Sequence, residues 1–283
     1  MASSTQSSSE EQFLCSICLE VFSEPVSTPC GHNFCKRCIS QHWGSRRRCS
    51  CPLCNEVFSS RPQLKTNTFI SEMVSQWKLE EERRSKELES DKKELRRVQQ
   101  FAVDVTLDPD TAHPCLVLSK DLKQVHDTDV WKQLPDSPQR FDTCVIVLGK
   151  QSFSSGRFYF EVQVKGKTEW TLGVAQESVN RKGKITVSPE NGLWTIGLIN
   201  RDQYKACAGP DVPLSPQRPP QKVGVFVDYG AGLVSFYDVD SADLLYSFTN
   251  CGFREKLFPF FSPCDNKGGT NSAPLIISAV ETK

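Results

Sequence analysis

The chain has 283 residues, and its 34 lysines and arginines balance its 34 aspartates and glutamates. A net charge of zero excludes a globally basic nucleic-acid-binding protein and a protein built on an acidic tail. Hydrophobic residues make up 38% of the chain, which is enough for a sizeable core. No apolar run approaches the ~18 residues of a membrane span, and the first residues carry no basic or apolar signal segment. We therefore expect an intracellular, cytoplasmic protein with no membrane partner.

Residues 1–12 are rich in serine, threonine, glutamine and glutamate, and we predict a disordered tail there. Residues 13–58 then hold eight of the 13 cysteines, most of them in pairs with two other residues between the members. Such turns place two thiolates around one zinc ion, and eight ligands close two tetrahedral sites with no open position. A segment this short cannot build a sufficient core, so the metals are expected to supply its folding energy. The ligand-type residues are Cys15, Cys18, Cys30, His32, Cys35, Cys38, Cys51 and Cys54.

The order and spacing of these ligands resemble those of the RING finger. The resemblance implies interleaved sites: one zinc on Cys15, Cys18, Cys35 and Cys38, and the other on Cys30, His32, Cys51 and Cys54. Cys49 is interpreted as a spare thiol, because Cys51 keeps the two-residue spacing to Cys54.

The RING resemblance also implies contacts with other proteins. Matching positions in RING ubiquitin ligases dock a ubiquitin-conjugating enzyme, which predicts that role for Ile17, Trp43, Pro52 and Leu53. Packing of Ile17 and Trp43 in a small core is the open alternative. The position after the last ligand often holds a basic residue that contacts ubiquitin. Here it is Asn55, an uncharged candidate for that contact.

Residues 59–100 are predicted to be a linker with a helix, because residues 67–100 contain no proline or glycine and are dense in charged residues and leucine. Thr68 and Ser71 are candidate N-caps. A helix of about thirty residues spans about 45 Å. Only Leu88 and Leu95 keep a seven-residue spacing, so homodimerisation through this helix is left open.

From residue 101 to 283, short apolar or alternating runs separated by turn residues predict an all-β sandwich. In residues 157–164, every second residue is apolar, as a half-buried strand requires: Phe158, Phe160, Val162 and Val164. Residues 209–220 are predicted to be a surface loop. We find no phosphate loop, nucleophile elbow or shared carboxylate pair, and Asp108 and Asp110 are assigned to a turn. Further strands are predicted at 144–148, 170–174, 193–198, 223–228, 233–238 and 275–280.

Runs throughout this region, such as those beginning at Phe153, Trp170, Val223 and Gly232, resemble a PRY–SPRY domain. The resemblance implies a recognition module that binds a protein substrate through a loop-lined face. The loops expected to contribute are residues 127–140, 177–191, 206–221 and 261–272. The aromatic candidates for substrate contact are Trp131, Trp194 and Phe261.

A RING followed by a PRY–SPRY domain resembles the tripartite-motif (TRIM) ubiquitin ligases, here without the B-box and the long coiled coil. The expected fold is multidomain: a small zinc-bound α+β RING, a linker α-helix and an all-β PRY–SPRY sandwich. The resemblance implies a RING-type ubiquitin transferase with two structural zinc ions and no catalytic residue or covalent intermediate of its own. It also implies a role in innate immunity.

Two other functions are considered. One is a non-catalytic adaptor or decoy whose RING is weak or inactive. The other is a zinc-dependent nucleic-acid binder, which rests only on Arg46, Arg47 and Arg48. A solvated loop explains three arginines, so nucleic acid is not an expected partner.

Overall fold

The computed structural model describes residues 11–44, 46 and 48–281. The predicted tail therefore lies outside the described residues except for its last two, which open a short 3-10 turn at Glu11–Phe13. Arg46 and Arg48 are exposed, whereas Arg47 lies outside the described residues. The chain divides into two compact units, Met1–Glu87 and Leu88–Lys283. Within the described ranges, no helix has both the length and the apolarity needed to cross a membrane.

The first unit is assembled from short elements that surround the cysteine pairs. The elements are β1 (Pro25–Ser27), β2 (Asn33–Cys35), helix α1 (Lys36–Gly44), β3 (Cys49–Ser50), β4 (Val57–Phe58) and β5 (Lys65–Thr66). Strand β1 pairs antiparallel with β2 on one side and with β5 on the other, and β3 pairs with β4. The core is small, with Val26, Phe34 and Ile39 fully buried.

Helix α2 (Thr68–Gln99) begins inside the first unit, and Asn67 caps it. The Asn67 carboxamide oxygen accepts the Ile70 N–H at 3.0 Å, and its Nδ2 donates to the Ser27 hydroxyl at 3.0 Å. Thr68 and Ser71, the predicted caps, lie in the first turn because Asn67 already satisfies the helix start. The helix then adds side chains to the core of the unit: Val74 is buried there, and Trp77 packs on Phe13 with ring centroids 6.1 Å apart.

The second unit is a sandwich of two antiparallel sheets, as predicted. The strands are β6 (Leu116–Leu118), β7 (Gln124–Asp127), β8 (Val147–Leu148), β9 (Arg157–Gln163), β10 (Trp170–Gln176), β11 (Leu193–Ile199), β12 (Gln203–Ala206), β13 (Val212–Leu214), β14 (Lys222–Asp228), β15 (Leu233–Asp238), β16 (Leu244–Phe248), β17 (Leu257–Ser262) and β18 (Leu275–Ser278). One sheet has the order β13-β12-β11-β10-β17-β8 and the other β16-β15-β14-β9-β18-β7-β6.

Strand β9 shows where the structure departs from the predicted half-buried pattern. Phe158, Phe160 and Val162 face the main core between the sheets. Tyr159 and Glu161 on the opposite face are also buried, at 0% and 2% exposure. The last turns of α2 cover this face, because Leu95 and Val98 form a second apolar cluster with Tyr159. These turns therefore belong to the sandwich unit and not to a separate linker, and Leu95 is not part of an exposed heptad seam.

The seven predicted strands are all present, although β8 is only two residues long. Strand β13 lies inside the predicted loop 209–220. It is an edge strand, and Pro213 is tolerated there because an edge position does not require every N–H to donate. The turn assigned to Asp108 and Asp110 is present, with the Asp110 N–H donating to Asp108 Oδ1 at 3.0 Å.

Candidate zinc centre and recognition surfaces

The first set of ligands brings Cys15, Cys18, Cys35 and Cys38 together, with their sulfur atoms within 4.8 Å of one another. Cys35 ends β2 and Cys38 lies in the first turn of α1, so strand and helix fix one half of the site. A tight turn fixes the other half, since the Leu19 N–H donates to the Cys15 carbonyl at 2.7 Å.

The second set brings together Cys30, His32, Cys51 and Cys54, again with ligand atoms within 4.8 Å. The His32 Nδ1 atom lies 3.4 Å from Cys30 Sγ and 3.6 Å from Cys51 Sγ, which makes Nδ1 the ligand atom. The Asn55 N–H donates to the Cys51 carbonyl at 2.9 Å and closes the turn between Cys51 and Cys54. Cys49 belongs to neither set.

The crowded thiols are electrostatically suited to a divalent cation. Burial, together with the neighbouring Cys15 and Cys18 sulfurs, raises the pKa of Cys35 to about 12. Burial and Cys18 likewise raise the pKa of Cys38 to about 11. Burial also acts to raise the pKa of Cys30, but hydrogen bonds with Thr28 and His32 outweigh it and lower that pKa to about 6. A bound cation deprotonates such thiols and removes their mutual repulsion.

The donor sets identify the metal. Four cysteine sulfurs, or three with one imidazole, in a compact tetrahedral group are the ligands that structural zinc takes. The two sets therefore form two zinc sites, with the interleaved pairing that the RING resemblance implied. Each site uses four protein ligands, so neither leaves a position for substrate or water.

The residues predicted to dock a conjugating enzyme differ in exposure. Ile17 and Leu53, each between the cysteines of a zinc turn, are 36% and 51% exposed, and Pro52 is half-buried. Trp43 is only 2% exposed. Its Nε1 donates to the Ser50 carbonyl at 2.8 Å and its ring packs edge-on against Phe58, so it supports the Cys51 turn from within. That packing matches the alternative core role, while direct contact by Trp43 stays a prediction.

The three aromatic candidates on the sandwich also separate by exposure. Trp131 is 59% exposed in the loop after β7. Trp194 on β11 is buried and packs edge-on against Phe253 with centroids 4.8 Å apart. Phe261 on β17 is fully buried against Phe160. Surface contact by Trp194 or Phe261 with a substrate is not visible in this structure and stays a prediction.

A cavity of about 650 Å³ opens where two of the predicted loops meet. Glu190 and Ala208 from those loops line it, together with Trp194. Sequence reasoning missed Tyr246 and Arg254, which also line it. Tyr246 lies in residues 244–248, where the apolar pattern could have predicted a strand. No sequence pattern indicated that Arg254 lines a cavity.

Three family models match separate parts of the chain: a RING-type zinc-finger over residues 15–52, a SPRY-associated domain over 105–153 and a SPRY domain over 157–276. Human pyrin is 48% identical over 187 residues, which is 66% of this chain and 24% of pyrin. Bovine E3 ubiquitin-protein ligase TRIM21 is 45% identical over 181 residues, 64% of this chain and 39% of TRIM21. Mouse E3 ubiquitin-protein ligase TRIM58 is 45% identical over 180 residues, 64% of this chain and 36% of TRIM58.

The chain thus spans 24% to 39% of the length of these relatives. Among solved structures, the TRIM65 PSpry domain superposes with a TM-score of 0.56 at 24% identity, covering 65% of this chain and 94% of that one. Stonustoxin superposes with a TM-score of 0.55 at 25% identity, covering 63% of this chain and 29% of that one. These likenesses support the sandwich fold.

The predicted multidomain fold and the two zinc ions are confirmed. The chain is therefore a RING-type zinc-finger protein with a C-terminal PRY–SPRY domain, homologous over that domain to TRIM21, TRIM58 and pyrin.

Proposed function

We propose that this chain is a RING-type ubiquitin ligase. The RING would dock a ubiquitin-conjugating enzyme, and the PRY–SPRY sandwich would bind the protein substrate. The supporting observation is that the two zinc turns hold Ile17 and Leu53 exposed on a rigid module. Rigid exposed apolar side chains of this kind suit a protein partner.

The closed zinc sites determine what the chain itself can contribute. Neither site can activate water or polarise a carbonyl, because all four positions are taken. The reaction would occur on the conjugating enzyme, where a substrate amine attacks the ubiquitin thioester, an amide bond forms and the enzyme cysteine leaves as a thiol. The RING contributes by holding the reactants in position.

The relatives support this proposal in its general form. TRIM21 and TRIM58 are named E3 ubiquitin-protein ligases, and they match this chain over about two thirds of its length. We further propose a cytoplasmic location and a role in innate immunity, for which the support is the TRIM-like combination of domains.

Replacing Leu53 by alanine should slow autoubiquitination about tenfold or more, the effect of losing an interface hot spot of about 1.4 kcal/mol or larger. The measurement uses purified activating enzyme, a panel of conjugating enzymes and ubiquitin. Val57→Ala is the matched control, because Val57 is 60% exposed in the same unit but lies outside the predicted docking set. Undiminished activity of the Leu53 variant with every active conjugating enzyme would contradict this docking surface.

A second candidate, the non-catalytic adaptor or decoy, is favoured by one residue. Asn55 is exposed and adopts the left-handed conformation with φ of 61°. Asparagine tolerates this conformation better than most residues, so loop closure alone explains its presence. An asparagine also lacks the charge with which a basic residue would hold ubiquitin.

We expect Asn55→Arg to raise the rate of ubiquitin discharge from a loaded conjugating enzyme severalfold, because it adds a charged donor at the position predicted to contact ubiquitin. Asn55→Gln is the control, since it lengthens the side chain without adding charge. An inert wild type with an active Asn55→Arg variant would identify an adaptor, and equal rates for all three proteins would remove Asn55 from the ubiquitin contact.

A further inference from the structure

The same four residues, serine, proline, glutamine and arginine, occur twice in the sandwich unit, at 137–140 and at 215–218. A serine followed by proline, with a basic residue three positions after the serine, is the pattern that proline-directed kinases of the cyclin-dependent class phosphorylate. So short a pattern needs a suitable structural context. Five hydroxyl residues of the chain precede a proline, and their accessibility separates them: Thr28, Ser137, Ser188, Ser215 and Ser262.

Three of these hydroxyl residues are buried. Thr28 and Ser188 are each 4% exposed, and Ser262 is 8% exposed. The Thr28 hydroxyl donates to the His32 carbonyl at 3.0 Å, and the Ser262 hydroxyl donates to the Val145 carbonyl at 2.7 Å. A kinase must bring the acceptor hydroxyl to its own catalytic aspartate, so these three residues are excluded in the folded protein.

The first copy of the repeated pattern is fixed in a turn. Ser137 is half-buried, and its carbonyl accepts the Arg140 N–H at 3.2 Å. The Arg140 guanidinium donates to the carbonyls of Pro109 and Ala112 at 2.8 and 2.7 Å. A kinase that binds this segment would have to open the turn and remove the arginine from both carbonyls. The serine and the basic residue are therefore poorly available.

The second copy is open at every position that the pattern requires. Ser215 follows edge strand β13 and is exposed, as are Gln217 and Arg218. Within the described part of the chain, no turn hydrogen bond joins Ser215 to Arg218, and neither side chain has a hydrogen bond or an ion pair. A surface loop with so few contacts can adapt to a partner at low cost.

We propose that Ser215 is a phosphorylation site for a proline-directed kinase that uses ATP. Pro216 has no N–H, so it suits a kinase subsite that offers the substrate backbone no hydrogen-bond acceptor. The free guanidinium of Arg218 supplies the charge that an acidic or phosphate-bearing subsite selects. The inference goes beyond the proposed ligase function and does not depend on it.

The reaction is an ordinary phosphoryl transfer. The Ser215 Oγ attacks the γ-phosphorus of ATP, and a new oxygen–phosphorus bond forms. The bond from the γ-phosphorus to the bridging oxygen breaks, ADP leaves, and the hydroxyl proton passes to the catalytic aspartate of the kinase.

The product changes the charge of a loop that is expected to contribute to substrate binding. Arg218 lines a cavity of about 500 Å³ together with Lys92, Asp240 and Asp243. A phosphoserine three residues before Arg218 carries about two negative charges at pH 7 and would draw that guanidinium into a charge-assisted pair.

The test incubates the full-length protein with ATP and a purified cyclin-dependent kinase, followed by trypsin digestion and mass spectrometry. Trypsin does not cleave before proline, so the bond after Arg218 survives. Ser215 is then the sole serine, threonine or tyrosine of peptide 206–222, and Ser137 is the sole one of peptide 133–140. We expect most chains to gain a phosphate on peptide 206–222. Peptide 133–140 should gain one about tenfold or more slowly, because its hydrogen bonds must open first.

Ser215→Ala should remove the phosphate from peptide 206–222, and Ser137→Ala should leave it unchanged. Arg218→Gln should slow the reaction severalfold, whereas Gln217→Ala, at the neighbouring exposed position, is the matched control and should react like wild type. Thermal unfolding checks that each variant is folded.

Two synthetic peptides, residues 132–142 and 210–220, separate the effect of sequence from that of the fold. Both contain the same four residues without the sandwich, so their rates should be similar. No phosphate on peptide 206–222 of the folded protein would overturn the site, whether or not the synthetic peptide 210–220 reacts. Equal rates at Ser137 and Ser215 in the folded protein would contradict the selection by accessibility.

Discussion

Replacing Cys15 by serine should empty the first zinc site, unfold the RING and abolish autoubiquitination. The reason is that the unit has only a small apolar core, with the two zinc ions joining its turns, β2 and α1. Structural zinc contributes about 10–16 kcal/mol of apparent binding free energy, far more than such a core can replace. We expect two zinc ions per wild-type chain and at most one in the variant, measured by atomic emission after gel filtration.

Cys49→Ser is the matched control, because this half-buried thiol lies two residues from Cys51 and outside both ligand sets. It should keep two zinc ions and full activity. The sandwich of the Cys15 variant should still unfold cooperatively, as reported by the fluorescence of its buried tryptophans. Two retained zinc ions in the Cys15 variant, or zinc loss in the Cys49 variant, would refute the assignment of ligands.

Replacing Leu95 by alanine should destabilise the sandwich by about 2–4 kcal/mol, the usual cost of truncating a buried leucine. Leu95 is 6% exposed and packs with Val98, Tyr159 and Phe226 on the outer face of the second sheet. The same turns of α2 supply Gln99, whose side-chain amide donates to the buried Glu161 carboxylate at 2.9 Å. Urea denaturation of the full chain, followed by tryptophan fluorescence, measures the change.

Leu79→Ala makes the same truncation on the same helix at a site that is 67% exposed. Its effect on stability should stay within about 0.5 kcal/mol. Equal unfolding midpoints for the Leu95 and Leu79 variants would mean that the last turns of α2 do not stabilise the sandwich. A fragment beginning at Phe101 should, for the same reason, be less stable than one beginning at Leu88.

The zinc centre could be predicted from the sequence because its information is local. Cysteine spacing determines the turn that presents each pair of sulfurs, and the structure brings together both sets of ligands that the resemblance implied. The strands could be predicted for the same reason, because their signals, alternating apolar residues and flanking turn residues, are also local. The burial of Tyr159 and Glu161 could not be predicted this way, because it depends on a helix more than sixty residues earlier in the chain packing on that face.

Aromatic residues show the same limit. Trp43, Trp194 and Trp131 were all candidates for surface contact, and only Trp131 is exposed. Composition cannot distinguish them, because exposure depends on what the rest of the chain places above each ring. The cap of α2 was missed for a related reason. Asn67 is selected by hydrogen bonds to the Ser27 and Asn33 side chains as well as by its helix, and those partners lie far away in sequence.

Asn67 and Trp77 also bear on how this zinc module could be moved into another protein. A graft ending at Phe58, just past the last metal ligand, would leave behind the third strand of the β1 sheet and the aromatic partner of Phe13. Such a graft would carry every zinc ligand, but the edge of β1 that pairs with β5 would be unpaired and the Phe13 ring would lose its contact with Trp77. A chimera whose junction lies in α2, downstream of Trp77, would contain the whole folding unit.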